Sequence, residues 1–315
     1  MKWAPKLGVS FLACIFLTLL LSNGALAQKA QNGPATKPKT LRPNSLLSES
    51  WVPDDIDNAV PAVAAGASCS LPEVLTRAGK RVEELVENVD RFTATEVLVH
   101  QPLDRSGRTR RTTTVKFNYL VSISKGRDGF FQVEEFRNQS RSLDVFPSHI
   151  ATTGTPSLVL IFHPRYIGDF KTDCEGLGSW KGQPAWQVRF EQRSDRPNRT
   201  NAFIVGGRKY NGDLRGRAWI LADSYQITRL DTDQAQPIPK IQLRRSHESV
   251  EYRPVGFPNN NLQLWLPSST ELYMDFRGQR FYRKHSFTDF KLFSVDTRFE
   301  VADPKENQAS TQPVQ

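Results

Sequence analysis

The stretch between Gly216 and Phe299 constrains this chain most, through the runs GRAWILADSYQITRLDTD, IQLRRSHESVEYRPV, LQLWLPSSTELYMDF and GQRFYRKHSFTDFKLF. Apolar and polar residues alternate along each run and turn residues separate them. Side chains in such runs divide between a buried face and a wet one. The expectation is an antiparallel β-meander, which the rest of the chain extends and covers.

Three earlier runs have the same texture: FTATEVLVH, TTVKFNYLVSIS and GFFQVEEFR, rich in β-branched and aromatic residues. The KGRDG link ending at Gly129 reads as a hairpin loop. Strands are expected again at DFKTDCEG and PAWQVRFEQ, around a turn from Gly176 to Gly182. Ahead of them all, Ser70-Leu-Pro-Glu73 has the form of a capping box. Behind it Leu71, Val74, Leu75, Ala78, Val82, Leu85, Val86 and Val89 recur at helical spacing and make one apolar stripe. Read as core, that stripe predicts a loss of about 2–5 kcal/mol for Leu85→Ala. The run TPSLVLIF from Thr155 fits either a second helix, stopped before Pro164, or a strand. The fold class is therefore α+β: a curved antiparallel sheet, a half-open barrel of about ten or eleven strands, covered by one or two helices.

The ends read differently. Lys2 and Lys6 precede an apolar run to Leu21, and Ala25-Leu26-Ala27 supplies a small-residue cleavage site, so residues 1–27 read as a cleaved secretory signal peptide in preference to an uncleaved anchor, for which the apolar run is short. Residues 28–67 and 301–315 are polar and Pro/Ala/Lys-rich, with too little apolar surface to offset their ordering entropy. They are expected to be a disordered leader and tail around a single domain at 68–300. Export makes the protein periplasmic or secreted. Cys14 leaves with the signal, and in an oxidising compartment Cys69 and Cys174 read either as one disulfide or as two buried thiols, with the disulfide the simpler.

Net charge is +9 and falls to +7 without Lys2 and Lys6. The basic residues are spread along the strands, with small clusters at Arg108, Arg110 and Arg111 and at Arg280, Arg283 and Lys284. Charged edges and turns also keep sheets from pairing with one another. An exported basic chain meets membranes, wall polymers and envelope proteins, not nucleic acid.

Catalytic signatures fail one by one. His247-Glu248 lacks the second histidine of a zinc-protease helix, and Gly176, Gly178 and Gly182 miss the dinucleotide spacing. No G-x-S-x-G elbow occurs. Glu134 and Glu135 are adjacent in a strand, so they point to opposite faces and make no acid–base pair. The reading is a non-enzyme that uses no cofactor and no metal, ahead of a secreted hydrolase whose catalytic set folding alone would bring together. What is abundant is apolar surface on strands: Phe117, Tyr119, Val121, Trp186, Val188, Phe190, Trp219 and Leu221. In a half-closed barrel these would line an apolar cavity, and such mouths suit lipid-like ligands.

In order and texture the chain resembles the bacterial outer-membrane lipoprotein-sorting superfamily, the LolA/LolB-like fold. The likeness is carried by the export signal, by LPEVLTRAGKRVEELVENV leading into FTATEVLV, and by GRAWILADSYQITRLDTD, LWLPSSTELYM and HSFTDFKLFSV. It covers nearly all of Ser68 to Phe299. The resemblance implies a curved sheet closed by helices around a cavity for acyl chains, with a hydrophobic ligand or a lipoprotein acyl chain as the partner. Related members sense envelope stress instead, which implies an envelope protein partner. A long leader and many strand arginines depart from a dedicated carrier. The resemblance assigns no individual acyl-contact residue and no oligomeric state.

Overall fold

The computed structural model describes residues 53–109, 111–138, 150–153 and 155–293. The expected signal peptide, the expected leader up to residue 52 and the expected tail at 301–315 lie outside the described residues.

One α-helix among the described residues, α1 (Leu71–Asn88), opens the domain. Its apolar stripe buries Val74, Ala78 and Val82. Ser70 takes the N-cap position but makes no side-chain cap bond. The expected capping box does not form, because Glu73 turns instead to Arg77 one turn on, at 3.0 Å. Thirteen strands follow: β1 (Arg91–Leu103), β2 (Thr113–Lys125), β3 (Phe131–Arg137), β4 (Ile150–Thr153), β5 (Phe170–Trp180), β6 (Gln183–Gln192), β7 (Ala202–Val205), β8 (Arg208–Asn211), β9 (Leu214–Leu221), β10 (Ile227–Gln234), β11 (Leu243–Phe257), β12 (Leu262–Phe276) and β13 (Gln279–Phe293).

Ten of them form one antiparallel sheet in the order β3-β2-β1-β13-β12-β11-β10-β9-β6-β5. The expected meander is its middle, β9 to β13. The hairpin at residues 125–129 joins β2 to β3. The other three strands make a small sheet, β4-β7-β8, that the sequence patterns do not foretell. The run Thr155–Phe162 is neither the expected α-helix nor a strand but a 3-10 segment, all of it buried.

The glycine-rich stretch departs from expectation. β5 continues through Gly176 and Gly178, with a register shift between Cys174 and Gly176, and the turn is only Lys181-Gly182, both at positive φ. The two glycines sit inside the strand because another segment crosses over them. A Cβ on Gly176 would lie 3.0 Å from Val63, and one on Gly178 would overlap the Gln187 side chain and lie 3.1 Å from the Ala62 carbonyl.

That crossing segment, residues 53–67, belongs to the stretch expected to be a disordered leader. It lies along the outer face of the sheet, with Ile56 buried. The Ile56 N–H donates to Asp233 (2.8 Å) and the Ala64 N–H to the Leu177 carbonyl (2.7 Å). Arg189 and Arg215 hold Asp57, each at 2.8 Å, and Arg215 also reaches Asp55. Cys69 and Cys174 form the disulfide, Cα to Cα 6.4 Å, which ties the start of α1 to β5.

The sheet curls without closing. Its terminal strands β3 and β5 are brought near each other by residues 163–169, immediately before β5. The Tyr166 hydroxyl accepts from the Phe131 N–H at 2.6 Å, and the His163 ring packs 5.0 Å from the Phe131 ring.

Candidate functional site

The concave face of the sheet holds α1 and the 155–162 segment. Val74, Ala78 and Val82 join Leu158 to Phe162 and the inward residues Val188, Phe190, Ala218, Ile220 and Leu230 in one apolar cluster. Helix and segment approach closely because Gly79 has no side chain there: a Cβ would stand 3.2 Å from the Phe162 carbonyl oxygen. A second cluster, with Phe92, Tyr119, Val121, Leu264, Leu266 and Phe287, lies beside it. Leu85 and Val86, in the last turns of α1, are only partly buried and pack against both clusters.

Those last turns stand as a partition between two spaces. On the β11–β12 side is a cleft of about 190 Å³ whose apolar lining includes Leu85, Val159, Ile227, Tyr252, Leu264 and Trp265. Arg81, Glu84, Asn88, Gln226 and Gln263 complete its wall. On the β2–β3 side is a groove of about 680 Å³ reached by Glu83, Val86 and Glu87. A third groove of about 620 Å³ runs over the outer face of β1–β3, past Thr93, Leu120 and Phe136.

The predicted cavity residues separate. Phe117, Tyr119, Val121, Val188 and Phe190 are buried on the concave face, with Trp186 partly buried beside them. Trp219 and Leu221 face the other way, in a cluster with Ala185. The reason is strand parity: Trp186 and Val188 pair across the ladder with Ile220 and Ala218, so the intervening Trp219 points outward. None of the eight lines the cleft beside α1, and Tyr119 contributes to the outer groove. The residues missed are Ile227, Tyr252, Leu262, Leu264 and Trp265. The alternation of LQLWL carried the signal for Leu262 and Leu264, but not which alternating face meets a helix.

A belt of polar side chains crosses the middle of the concave face. Glu96, fully buried, takes two hydrogen bonds from Arg137 (2.6 and 3.0 Å) and one from His285 Nδ1 (2.6 Å). Glu135 accepts from the Tyr119 hydroxyl at 2.7 Å, while its neighbour Glu134 lines the outer groove. Arg283 is buried too, bonded to the Ile150 carbonyl at 2.8 Å and to His100 at 3.3 Å. Burial pushes its pKa down to about 9. The basic cluster expected around it is thereby broken: Arg283 points inward, and Lys284 points outward to Glu271 at 3.2 Å.

Burial lifts the Glu248 carboxyl to about 7, although it accepts from the Thr155 hydroxyl at 2.7 Å. His247 meets Asp233 at 2.9 Å on the outer face, but the nearby Ser249 hydroxyl donates to Asp231 (2.7 Å) instead. No nucleophile–base–carboxylate line is assembled at that pair. Among the described residues no three His, Cys, Asp or Glu side chains gather as a metal site.

No family model and no curated protein matches the chain. Solved structures similar to it include a DUF1329 family protein from Desulfovibrio piger, with TM-score 0.41 and 9% identity, covering 72% of this chain and 95% of that one. A putative outer membrane lipoprotein-sorting protein domain from Vibrio parahaemolyticus gives TM-score 0.41 at 8% identity, covering 71% and 94%. A LolA superfamily protein from Nitrosomonas europaea gives 0.35 at 12% identity, covering 69% and 94%.

Proposed function

We propose that this chain is a non-enzymatic binder of an acyl chain or similar slender hydrophobic ligand, seated between α1 and the concave face. The observation that carries the reading is the partition made by α1. At about 190 Å³ the cleft is smaller than the roughly 300–1,000 Å³ of ordinary ligand sites. Its outer wall, however, is the half-packed end of a helix. The disulfide and the Gly79 contact anchor the first half of α1. An outward swing of the Leu85–Val86 end would join the cleft to the groove on the other side and uncover the apolar surface between the two clusters. Charged residues on that end, Glu83, Glu84 and Glu87, stay in water throughout such a motion.

An export signal at residues 1–27 would put this activity in a cell envelope, and the sequence resemblance favours lipoprotein transport or envelope biogenesis as its setting. The test uses Trp265, which lines the cleft. A bromine-labelled stearate should quench the protein's fluorescence, and Trp265→Phe should remove most of that quenching. Absence of quenching, together with no amphiphile in native mass spectra of protein from its own host, would turn the reading toward an envelope protein partner.

A further inference from the structure

Beneath the lining of the cleft lies one polar atom without a partner, closed off from the cleft's open space in this structure. Tyr252 is 4% exposed, and it lines the cleft together with Leu85, Val159, Ile227 and Leu264. Its phenolic hydroxyl is fully buried and has no hydrogen-bond partner among the described residues. The nearest acid along the same strand face is Glu248, two alternate positions back, and that carboxyl is engaged by Thr155 at 2.7 Å. The next residue, Arg253, reaches away to the Phe287 carbonyl at 3.5 Å. An aromatic ring alone would fill this place as well, and phenylalanine would do so without burying an unpaired hydroxyl, which is costly. A tyrosine there becomes economical once the end of α1 has swung out and an acceptor on the ligand reaches its hydroxyl.

We propose that Tyr252 is the specificity-determining residue of the site, its hydroxyl donating a hydrogen bond to an oxygen carried by the hydrophobic ligand. The ligand class is then narrower than a plain hydrocarbon chain: an acyl ester or amide, through its carbonyl, or a chain bearing a hydroxyl. This rests on the proposed seat of the ligand beside α1. The surrounding Leu, Val and Ile side chains exclude water from the bond, so the oxygen is read in a low-dielectric setting where an unmatched hydroxyl is penalised most.

The experiment is competition against the bromine-labelled stearate by dodecane, methyl dodecanoate and dodecanol, on the full mature chain and on Tyr252→Phe. The wild-type protein should prefer an oxygen-bearing chain over dodecane by about three- to tenfold, the worth of one neutral hydrogen bond. In Tyr252→Phe the preference should vanish, with dodecane binding at least as well as before and the melting temperature no lower. Preference for the ester alone assigns a carbonyl, and preference for the alcohol alone assigns a chain hydroxyl. A preference that survives in Tyr252→Phe, or a wild-type protein that treats dodecane and the oxygenated chains alike, overturns the role of Tyr252 while leaving acyl binding intact. If the labelled stearate itself does not bind, the proposed function fails and the inference goes with it. Should Tyr252→Phe not fold, the same comparison on Tyr252→Met decides.

Discussion

The guanidinium of Arg137 grips the carboxylate of Glu96 through two hydrogen bonds, 2.6 and 3.0 Å, within the polar belt that crosses the concave face. Burial alone would raise the Glu96 pKa. The Arg137 charge and the His285 hydrogen bond outweigh it and hold the group at about 2, against an ordinary 4.5. A carboxylate depressed in the folded state stabilises the fold above its unfolded pKa, and that contribution is lost as pH falls from about 4.5 toward 2. Removing one partner leaves the other charged and buried. Glu96→Gln or Arg137→Met should therefore each cost about 3–5 kcal/mol in denaturant unfolding at pH 7, and replacing both by apolar residues should recover much of the loss. Additive losses in the double variant would refute the pairing.

Glu248 works in the opposite sense. Its folded pKa, raised by burial to about 7, exceeds the ordinary 4.5, so the folded state holds the proton more tightly than the unfolded chain. Its stabilising contribution is complete below about 4.5 and is lost as pH rises through about 7. Melting temperature measured between pH 5 and pH 8 should decline more in the wild type than in Glu248→Gln, which keeps a hydrogen-bonding oxygen for Thr155. Parallel declines in the two proteins would show that Glu248 titrates normally.

The helix illustrates what spacing reveals and what it leaves open. The stripe from Leu71 to Val89 gave α1 its place and length, because the three- and four-residue rhythm is a property of the sequence itself. It could not rank the members of the stripe. Val82 is 2% exposed and packs inside the first cluster, whereas Leu85 is half-buried on the wall of the cleft. Val82→Ala should therefore cost about 2 kcal/mol from lost burial and the cavity left behind. Leu85→Ala should cost less than the roughly 2–5 kcal/mol of a fully packed leucine. Equal losses at the two positions would mean that the end of α1 is packed as tightly as its middle. Strand alternation has the same limit: it paired Trp219 with Leu221 correctly, and only the ladder with β6 shows that their face is the outer one.

The segment at 53–67 was the least legible part of the fold, and its anchoring explains why. Composition marks Asp54-Asp55-Ile56-Asp57 as polar chain with little to bury, but their partners are arginines more than a hundred residues away, such as Arg215 at a separation of 158 from Asp57. Facing charges on distant strands leave no local signal. The firmest anchor is Arg217, 1% exposed, which pairs with Glu175 and donates to the Ala59 carbonyl at 3.0 Å. The pairs made by Arg189 and Arg215 are wetter and contribute little each. Arg217→Met should leave Glu175 unpaired beneath the segment, cost about 3–5 kcal/mol and open residues 53–67 to limited proteolysis while the disulfide still holds Cys69. Arg189→Met should do neither to a comparable degree. Proteolysis of this segment at the same rate in the wild type and in Arg217→Met would show that its hold on the outer face does not depend on the buried arginine.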